Sequence, residues 1–422
     1  MRHALAVLIV VALAVPSLSA EESRDSAAQW KAGAASVVIT PERPLRMAGY
    51  AGRTDPAEGT VQDLFAKCVI IEDQQGQRVA IITLDLIGVL AELRSAVVEQ
   101  LSEKYELPPE SVLMNASHTH CGPAYGRDDA QDYFDQLTQK IVQVVGDSID
   151  RLQPATLTYS VARASVAMNR RTPAVTGFVN HPNPEGPVDH SVPVLSVRNS
   201  AGDLRAIVFG YACHNTTMGF LKWYGDYAGY AQEYLEADHP GVTALFMMGC
   251  GGDQNPYPRS ELKFAQYHGR TLATAVEAAL EVNQRTLRHQ RSVTGPLRFA
   301  LEAVDLKFLD KDRPDFAYPV QVIRFGEDIT LVALGTEVVV DYSLRLKSEL
   351  SQPEGPAIWV AGYSNVYAGY IPSRRVLLEG GYEARSRPWH PDLEERIVAK
   401  VHELVGQLKA SVEASVEEKP ED

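Results

Sequence analysis

Two imidazoles stand two residues apart in NASHTHCGP, Asn115 to Pro123, directly after the apolar run SVLM. In an extended strand, side chains i and i+2 share a face, so His118 and His120 would converge on one metal ion or one substrate. Gly122-Pro123 would then end the strand and leave both rings at its carboxyl end, the edge at which open α/β sheets bind ligands. Taken alone, the pair reads equally well as two hydrogen-bonded histidines at a strand end. A third histidine in matching context changes the balance: in AIVFGYACHNTTMG, His214 also closes an apolar strand. Glu337, in LVALGTEVVV, is a carboxylate placed just after a wholly apolar strand, where an unpartnered charge is costly and a nearby cation relieves it. Histidine and carboxylate donors with one position left open are what a catalytic Zn²⁺ takes, and zinc-activated water is the chemistry these residue types point to.

These segments, with several others in the same order, resemble those of the neutral ceramidases. NASHTHCGP is similar to that family's His-Thr-His-Ser-Gly-Pro segment, AMNRR (Ala167 to Arg171) to its Asn-Arg motif, and YACHNTTM to its second zinc-histidine segment. GDYAGYAQEYLE (Gly225 to Glu236) resembles its Asp-rich turn and helix, and CGGDQNP (Cys250 to Pro256) its Gly-Asp-x-x-Pro loop. LGTEVV resembles its zinc-glutamate segment, and GYSNVYAGYIPS (Gly362 to Ser373) its Asn-x-Tyr-x-x-Tyr block. The resemblance implies one zinc per chain, held by His118, His214, Glu337 and Tyr370. It implies further that His120 acts as acid/base or stabilises an oxyanion, that Arg170 holds a polar group of the substrate, and that Tyr382 of GGYEAR faces the reacting carbonyl. The implied reaction is hydrolysis of the amide of an N-acyl lipid or of a smaller N-acyl amide. An ester, lactone or glycoside hydrolase on the same site, and a non-catalytic ligand-binding homologue, are the other readings. Three departures stand out: Cys121 replaces the usual serine, the segments after Pro256 and before Glu337 are short, and a helix and acidic tail follow where those ceramidases continue into an immunoglobulin-like domain.

Elements that could position such a site follow from the pattern of apolar residues. Strands are expected at Ala35 to Thr40, Leu64 to Glu72, Arg78 to Asp85, through SVLMNAS, and at Ala155 to Ala162, Pro193 to Val197, Leu204 to Cys213 and Val242 to Met248. Later strands are expected at Leu297 to Phe308, Pro319 to Phe325, Ile329 to Leu334 and Ile358 to Ala361. Helices are expected near Ala91 to Tyr105, Asp129 to Leu152, Tyr227 to Asp238, Leu262 to Val282 and Pro391 to Ala410. GYAGR (Gly49 to Arg53) reads as a Gly-rich loop, and Asn169 to His190, rich in Pro, Asn and Gly, as a long functional one. The sum is an α/β fold of mixed β-sheets flanked by helices, in one catalytic domain over 33–410, without the immunoglobulin-like domain. A signal peptide over 1–20, a linker over 21–32 and an acidic disordered tail over 411–422 complete the expected organisation.

Composition bounds the partners. The chain has 422 residues, 45% hydrophobic and 22% charged, with a formal net charge of −14, so it has enough apolar residues for a large core and no basic face for nucleic acid. The expected partner is a small-molecule or lipid substrate, with room for peripheral membrane contact; nothing in the sequence fixes an oligomeric state. Cys68, Cys121, Cys213 and Cys250 form no CxxC pair, and in an exported chain they read either as up to two disulfides or as buried free thiols. His268 reads as a helix-face residue, Tyr363 and Tyr367 as packing residues, and the sequons at Asn115 and Asn215 as coincidence. Asp226 and Asp253 read more readily as turn or cap residues than as histidine orienters.

Overall fold

The computed structural model describes residues 30–50, 52–281 and 291–417. The expected signal peptide, nearly all of the linker and residues 418–422 lie outside these. Within them, two β-sheets stack face to face and helices cover both outer faces. In spatial order the larger sheet runs Thr243–Met248, Leu204–Tyr211, Ser191–Asn199, Gln153–Arg163, Trp30–Val38, Phe65–Glu72, Arg78–Leu84 and Val112–Ala116, with Arg291–Val293 paired off Gln153–Arg163. The outermost pair at each end is parallel, and the pairs between are antiparallel. The smaller sheet runs Leu297–Leu306, Phe316–Phe325, Ile329–Leu334 and Ala357–Ala361, its last pair parallel.

Period-two alternation explains the layering. Along Phe65–Glu72 and Arg78–Leu84, residues Ala66, Cys68, Ile70, Ala80, Ile82 and Leu84 face the core beneath helices Ala91–Tyr105 and Gln131–Asp150. Their neighbours Val69, Ile71, Val79 and Ile81 face the other sheet, where Ile323, Phe325, Leu331 and Trp359 meet them. Strands buried on both faces read as apolar runs rather than alternating ones, as CVII and VAII do within these two. The opposite side of the smaller sheet, Val320, Val322, Val332 and Leu334, packs on helices Val340–Leu350 and Leu393–Glu417 through residues such as Leu346, Ile397 and Val401.

Three expectations need correction. The first strand begins at Trp30, inside the expected linker, because Trp30 is buried and its indole Nε1 donates to Val293 O at 2.7 Å. The stretch expected as a long loop is mostly a hairpin, Ala167–Ala174 with Gly177–Asn183, which Gln254–Pro256 joins as a third strand. Its Pro182 lies on the edge strand, where a missing N–H is tolerated. The closing helix runs Leu393–Glu417, so residues 411–417 are helical where a disordered tail was expected.

Candidate active site

The carboxyl ends of strands from both sheets meet at one place. Val112–Ala116 leads into His118, Leu204–Tyr211 into His214, Ile329–Leu334 into Glu337 and Ala357–Ala361 into Tyr363. Isolated bridges Asn115↔Ser364, Thr119↔Asn215 and Gly249↔Ala361 tie these ends together. Asn115 is the hub: its Nδ2 donates to Gly362 O at 2.7 Å, Ser364 Oγ at 3.1 Å and Met248 O at 3.2 Å, and its Oδ1 accepts from Met248 N at 2.7 Å. Asn215 is buried too and donates to Ser117 O. Both sequon amides are therefore committed inside the fold.

The two histidines do not converge by strand alternation. The strand stops at Ala116, and His118 takes a left-handed conformation, φ 63°, beyond it. Thr336, Tyr363 and Asn365 around the same site share positive φ, at 61°, 50° and 64°. Such conformations are unfavourable for non-glycine residues and persist where surrounding contacts over-determine them.

What results is a cluster of nitrogen and oxygen donors. Glu337 Oε2 lies 3.3 Å from His118 Nε2 and 3.3 Å from His214 Nε2, and His214 Nε2 lies 3.4 Å from the Tyr370 hydroxyl. Glu337 and Tyr370 are side by side because the short strands Glu337–Val338 and Tyr370–Ile371 pair in parallel with these residues in register. His118 Nδ1 sits 2.6 Å from Ile87 O and His214 Nδ1 2.7 Å from Gly251 O. A carbonyl accepts only, so both rings donate from Nδ1 and turn Nε2 toward Glu337. The fifth member, His120, brings its Nε2 to 3.1 Å from His118 Nε2, and the three imidazoles form a group able to hold a metal ion.

Burial, and then the Arg170 charge, push the His214 imidazole down to about 3, so it is neutral at physiological pH. Burial, with His118 and His214 adding to it, holds His120 well below the usual imidazole range. Burial alone would raise Glu337, but His118 and His214 outweigh it and keep the carboxyl well below the usual carboxylate range. The Nε2 atoms of His118 and His214 thus face a carboxylate oxygen that is buried and has no hydrogen-bond partner. Imidazole nitrogens gathered this closely around a buried, unpartnered carboxylate oxygen fit a cation. The spacings also match the edge of a tetrahedron with metal–ligand bonds of about 2.0–2.1 Å, roughly 3.3 Å.

Arg170 is buried behind this cluster. Its Nε donates to Glu383 Oε1 at 2.8 Å, Nη2 to the Tyr370 hydroxyl at 2.9 Å and Nη1 to Asn255 Oδ1 at 3.2 Å, with His214 Nε2 also 3.2 Å from Nη1. All three nitrogens therefore meet protein groups, and Arg170 orients Tyr370. Tyr382 is 57% exposed, its ring edge-on to that of Tyr370 at 5.3 Å. It follows Gly380 and Gly381, with φ 71° and 90°, so the chain turns sharply just before it. The next residue, Glu383, is buried and grips both Arg170 and Arg171.

Several positioning groups left no mark in the sequence reading. The histidine orienters are the backbone carbonyls of Ile87 and Gly251, which carry no side-chain signal. Asp253 accepts from Val340 N and Asn169 Nδ2, and Asp226 from Thr217 N, Tyr227 N and the Tyr224 hydroxyl; neither contacts a histidine. Tyr363 packs on His118 at 4.6 Å, but Tyr367 does more than pack, donating its hydroxyl to Glu337 Oε1 at 3.2 Å. Gly49, φ 102°, lies so close to His120 that a Cβ there would sit 2.5 Å from Nδ1. All four cysteines are buried free thiols, and His268, in helix Leu262–Glu281, is held by Pro258 O at 2.7 Å.

Relatives carry the same arrangement of chain. Neutral ceramidase B of Dictyostelium discoideum is 26% identical over 267 residues, covering 57% of this chain and 37% of that protein. Neutral ceramidase of Pseudomonas aeruginosa is 24% identical over 274 residues, 59% of this chain and 39% of that protein. The matches thus span about two fifths or less of those relatives' own length. The crystal structure of the Pseudomonas aeruginosa neutral ceramidase shares the fold, with a TM-score of 0.77 at 19% identity over 91% of this chain and 75% of that one. A ceramidase structure complexed with C2 gives a TM-score of 0.74, also at 19% identity, over 89% of this chain and 76% of that one. Residues 30–252, more than half of the chain, match the family described as neutral/alkaline non-lysosomal ceramidase, N-terminal, and the chain belongs to that family.

Proposed function

We propose that this protein is an exported, metal-dependent hydrolase that cleaves the amide bond of an N-acyl lipid or a smaller N-acyl amide, with one Zn²⁺ per chain. The observation that carries the reading is the convergence of His118 Nε2 and His214 Nε2 on Glu337 Oε2 at 3.3 Å each, with both Nδ1 atoms fixed on backbone carbonyls. His118, His214, Glu337 and Tyr370 would hold the ion. Once bound, a zinc ion supplies a water of lowered pKa and a Lewis acid for the carbonyl.

The chain's own residues do the rest. His120 differs from the other two histidines in having a buried Nδ1 with no partner, so its ring is not locked for ligation. An imidazole held neutral beside the reacting centre can accept the nucleophile's proton and return it to the leaving amine, which fits the acid/base role for His120. Tyr382, exposed beside Tyr370, is placed to offer its phenol to the developing oxyanion. Arg170 contributes through Tyr370, whose hydroxyl it holds at 2.9 Å, and through the positive charge it brings next to His214.

Elemental analysis of the purified protein, paired with hydrolysis of a panel of N-acyl sphingoid bases and short N-acyl amines, tests the reading. One zinc per chain with amide turnover is the expected result. Zinc without amide turnover would move the activity to an ester, lactone or glycoside, and absence of metal would overturn the assignment.

A further inference from the structure

One guanidinium beside the site has no counter-charge. Arg387 is half-buried, with its Nε 3.7 Å from where a side chain on Gly369 would begin, and Gly369 directly precedes Tyr370. Gly369 O also accepts from Glu337 N at 3.0 Å, so Arg387 stands against the backbone that carries two of the proposed ligands. Among the described residues, no carboxylate and no hydrogen-bond acceptor meets its guanidinium. The charged and titratable groups that act on it are a second cation, Arg313, and the Tyr367 phenol. Arg313 lies 3.7 Å over the Phe308 ring, which is itself stacked on Trp389 at 4.5 Å, so this second positive charge sits on a rigid aromatic shelf.

Three arginines behind the site differ. Arg170, Arg171 and Arg375 each meet a carboxylate within 3.0 Å. In a chain with a net charge of −14, carboxylates are plentiful, yet among the described residues none pairs with Arg387. Guanidiniums on adjoining segments repel each other, and a partly desolvated one loses hydration as well. An anion between them relieves both terms, and a guanidinium fork matches a carboxylate, sulfate or phosphate in two parallel hydrogen bonds.

Resting on the amide-hydrolase reading above, we infer that the substrate carries an anionic group, received by Arg387 with Arg313 behind it, on the Gly369 side of the site. This narrows the substrate class from neutral N-acyl lipids to acidic N-acyl compounds, of which N-acyl amino acids are the simplest.

Two matched pairs of amides test this on the purified full-length protein. N-lauroylglycine against N-lauroylethanolamine places the charge on the amine side. The N-methyl monoamide of dodecanedioic acid against N-methyldodecanamide places it on the acyl side. Both binding, by calorimetry, and kcat/KM are measured for the natural protein and for Arg387→Gln and Arg387→Lys. The expected result is a preference of about tenfold to a hundredfold for the charged member of one pair, the range that charge-assisted hydrogen bonds supply. Arg387→Gln should abolish that ratio and Arg387→Lys restore part of it; the pair that responds identifies the end bearing the anion. Ratios within about twofold of unity in both pairs, or unchanged by Arg387→Gln, would overturn the inference while leaving amide hydrolysis intact. Charge-dependent binding that Arg387→Gln removes, without turnover of any of the four amides, would keep the anion site and retire the amide reading.

Discussion

Glu383→Gln is the perturbation whose size the structure fixes best. The Glu383 carboxylate is buried; Oε1 takes the Nε–H of Arg170 at 2.8 Å and Oε2 the Nη1–H of Arg171 at 2.5 Å. Arg171 keeps a second carboxylate in Glu379 at 3.0 Å, but Arg170 has Glu383 alone. Gln preserves the shape, removes the charge, and turns an N–H₂ donor toward one guanidinium N–H. Removing one partner of a buried ion pair costs about 3–5 kcal/mol, because the other charge stays buried without compensation. Against a total stability of roughly 5–15 kcal/mol, the variant should fold but unfold at clearly lower denaturant. Equilibrium denaturation in the presence of chelator reads the difference without a contribution from bound metal. The double variant Arg170→Met/Glu383→Gln should recover part of the loss, since neither charge is then stranded. The pH dependence has a definite sign. Burial works to raise the Glu383 carboxyl, but Arg170 and Arg171 prevail and lower it from 4.5. The folded state therefore binds fewer protons, so the pair's contribution is complete above about pH 4.5 and fades as pH falls through the lowered folded value. The gap between natural protein and variant should shrink accordingly in acid. A loss under about 1 kcal/mol at pH 7, or a gap that widens in acid, would refute the argument that Glu383 holds Arg170.

Other substitutions probe separate parts of the site. His214→Ala should lose metal and activity together, whereas His120→Ala should retain metal and lose about 10²–10⁴ in kcat; equal metal loss in both would reverse their roles. Asn115→Ala strips the partners from Met248 N, Met248 O and Gly362 O, and should cost about 2–4 kcal/mol in chemical denaturation; a cost under 1 kcal/mol would deny it the hub role. Gly49→Ala puts a methyl 2.5 Å from His120 Nδ1 at a φ of 102°, so it should depress kcat with metal content unchanged. Unaltered kcat in a folded variant would show that the loop and ring move apart without consequence.

Residues that announce themselves by type were legible in the sequence, whereas residues that act through the backbone were not. His118, His214 and Glu337 could be picked out because a polar residue after an apolar strand violates the local pattern. The route by which they meet was misjudged, because alternation along a strand says nothing about the left-handed turn at His118. Tyr370, Arg170 and Tyr382 came only from resemblance to a family. The carbonyls of Ile87 and Gly251 have no side-chain signature, and a peptide oxygen becomes a histidine orienter only through the fold. Glu383 lies in YEARSR, which reads as a solvated charged turn, yet the residue is buried. The hairpin at Ala167–Asn183 was hidden by Pro, Asn and Gly, residues usually read as loop, which an edge strand tolerates.

The division of the proposed ligands between two sheets has a consequence for how the molecule is made. His118 and His214 follow strands of the larger sheet, while Glu337 and Tyr370 follow the smaller one, and His118 and Glu337 are more than two hundred residues apart in the chain. A folding chain that completed the first sheet's histidine loops before the second sheet had docked would hold only half of the proposed coordination sphere. High-affinity uptake of a metal would thereby be deferred until the second sheet has docked, and metal capture would report that assembly is finished. Once in place, an ion would act as a rivet across a very long loop, resisting separation of the two halves in a way that local contacts within either half cannot.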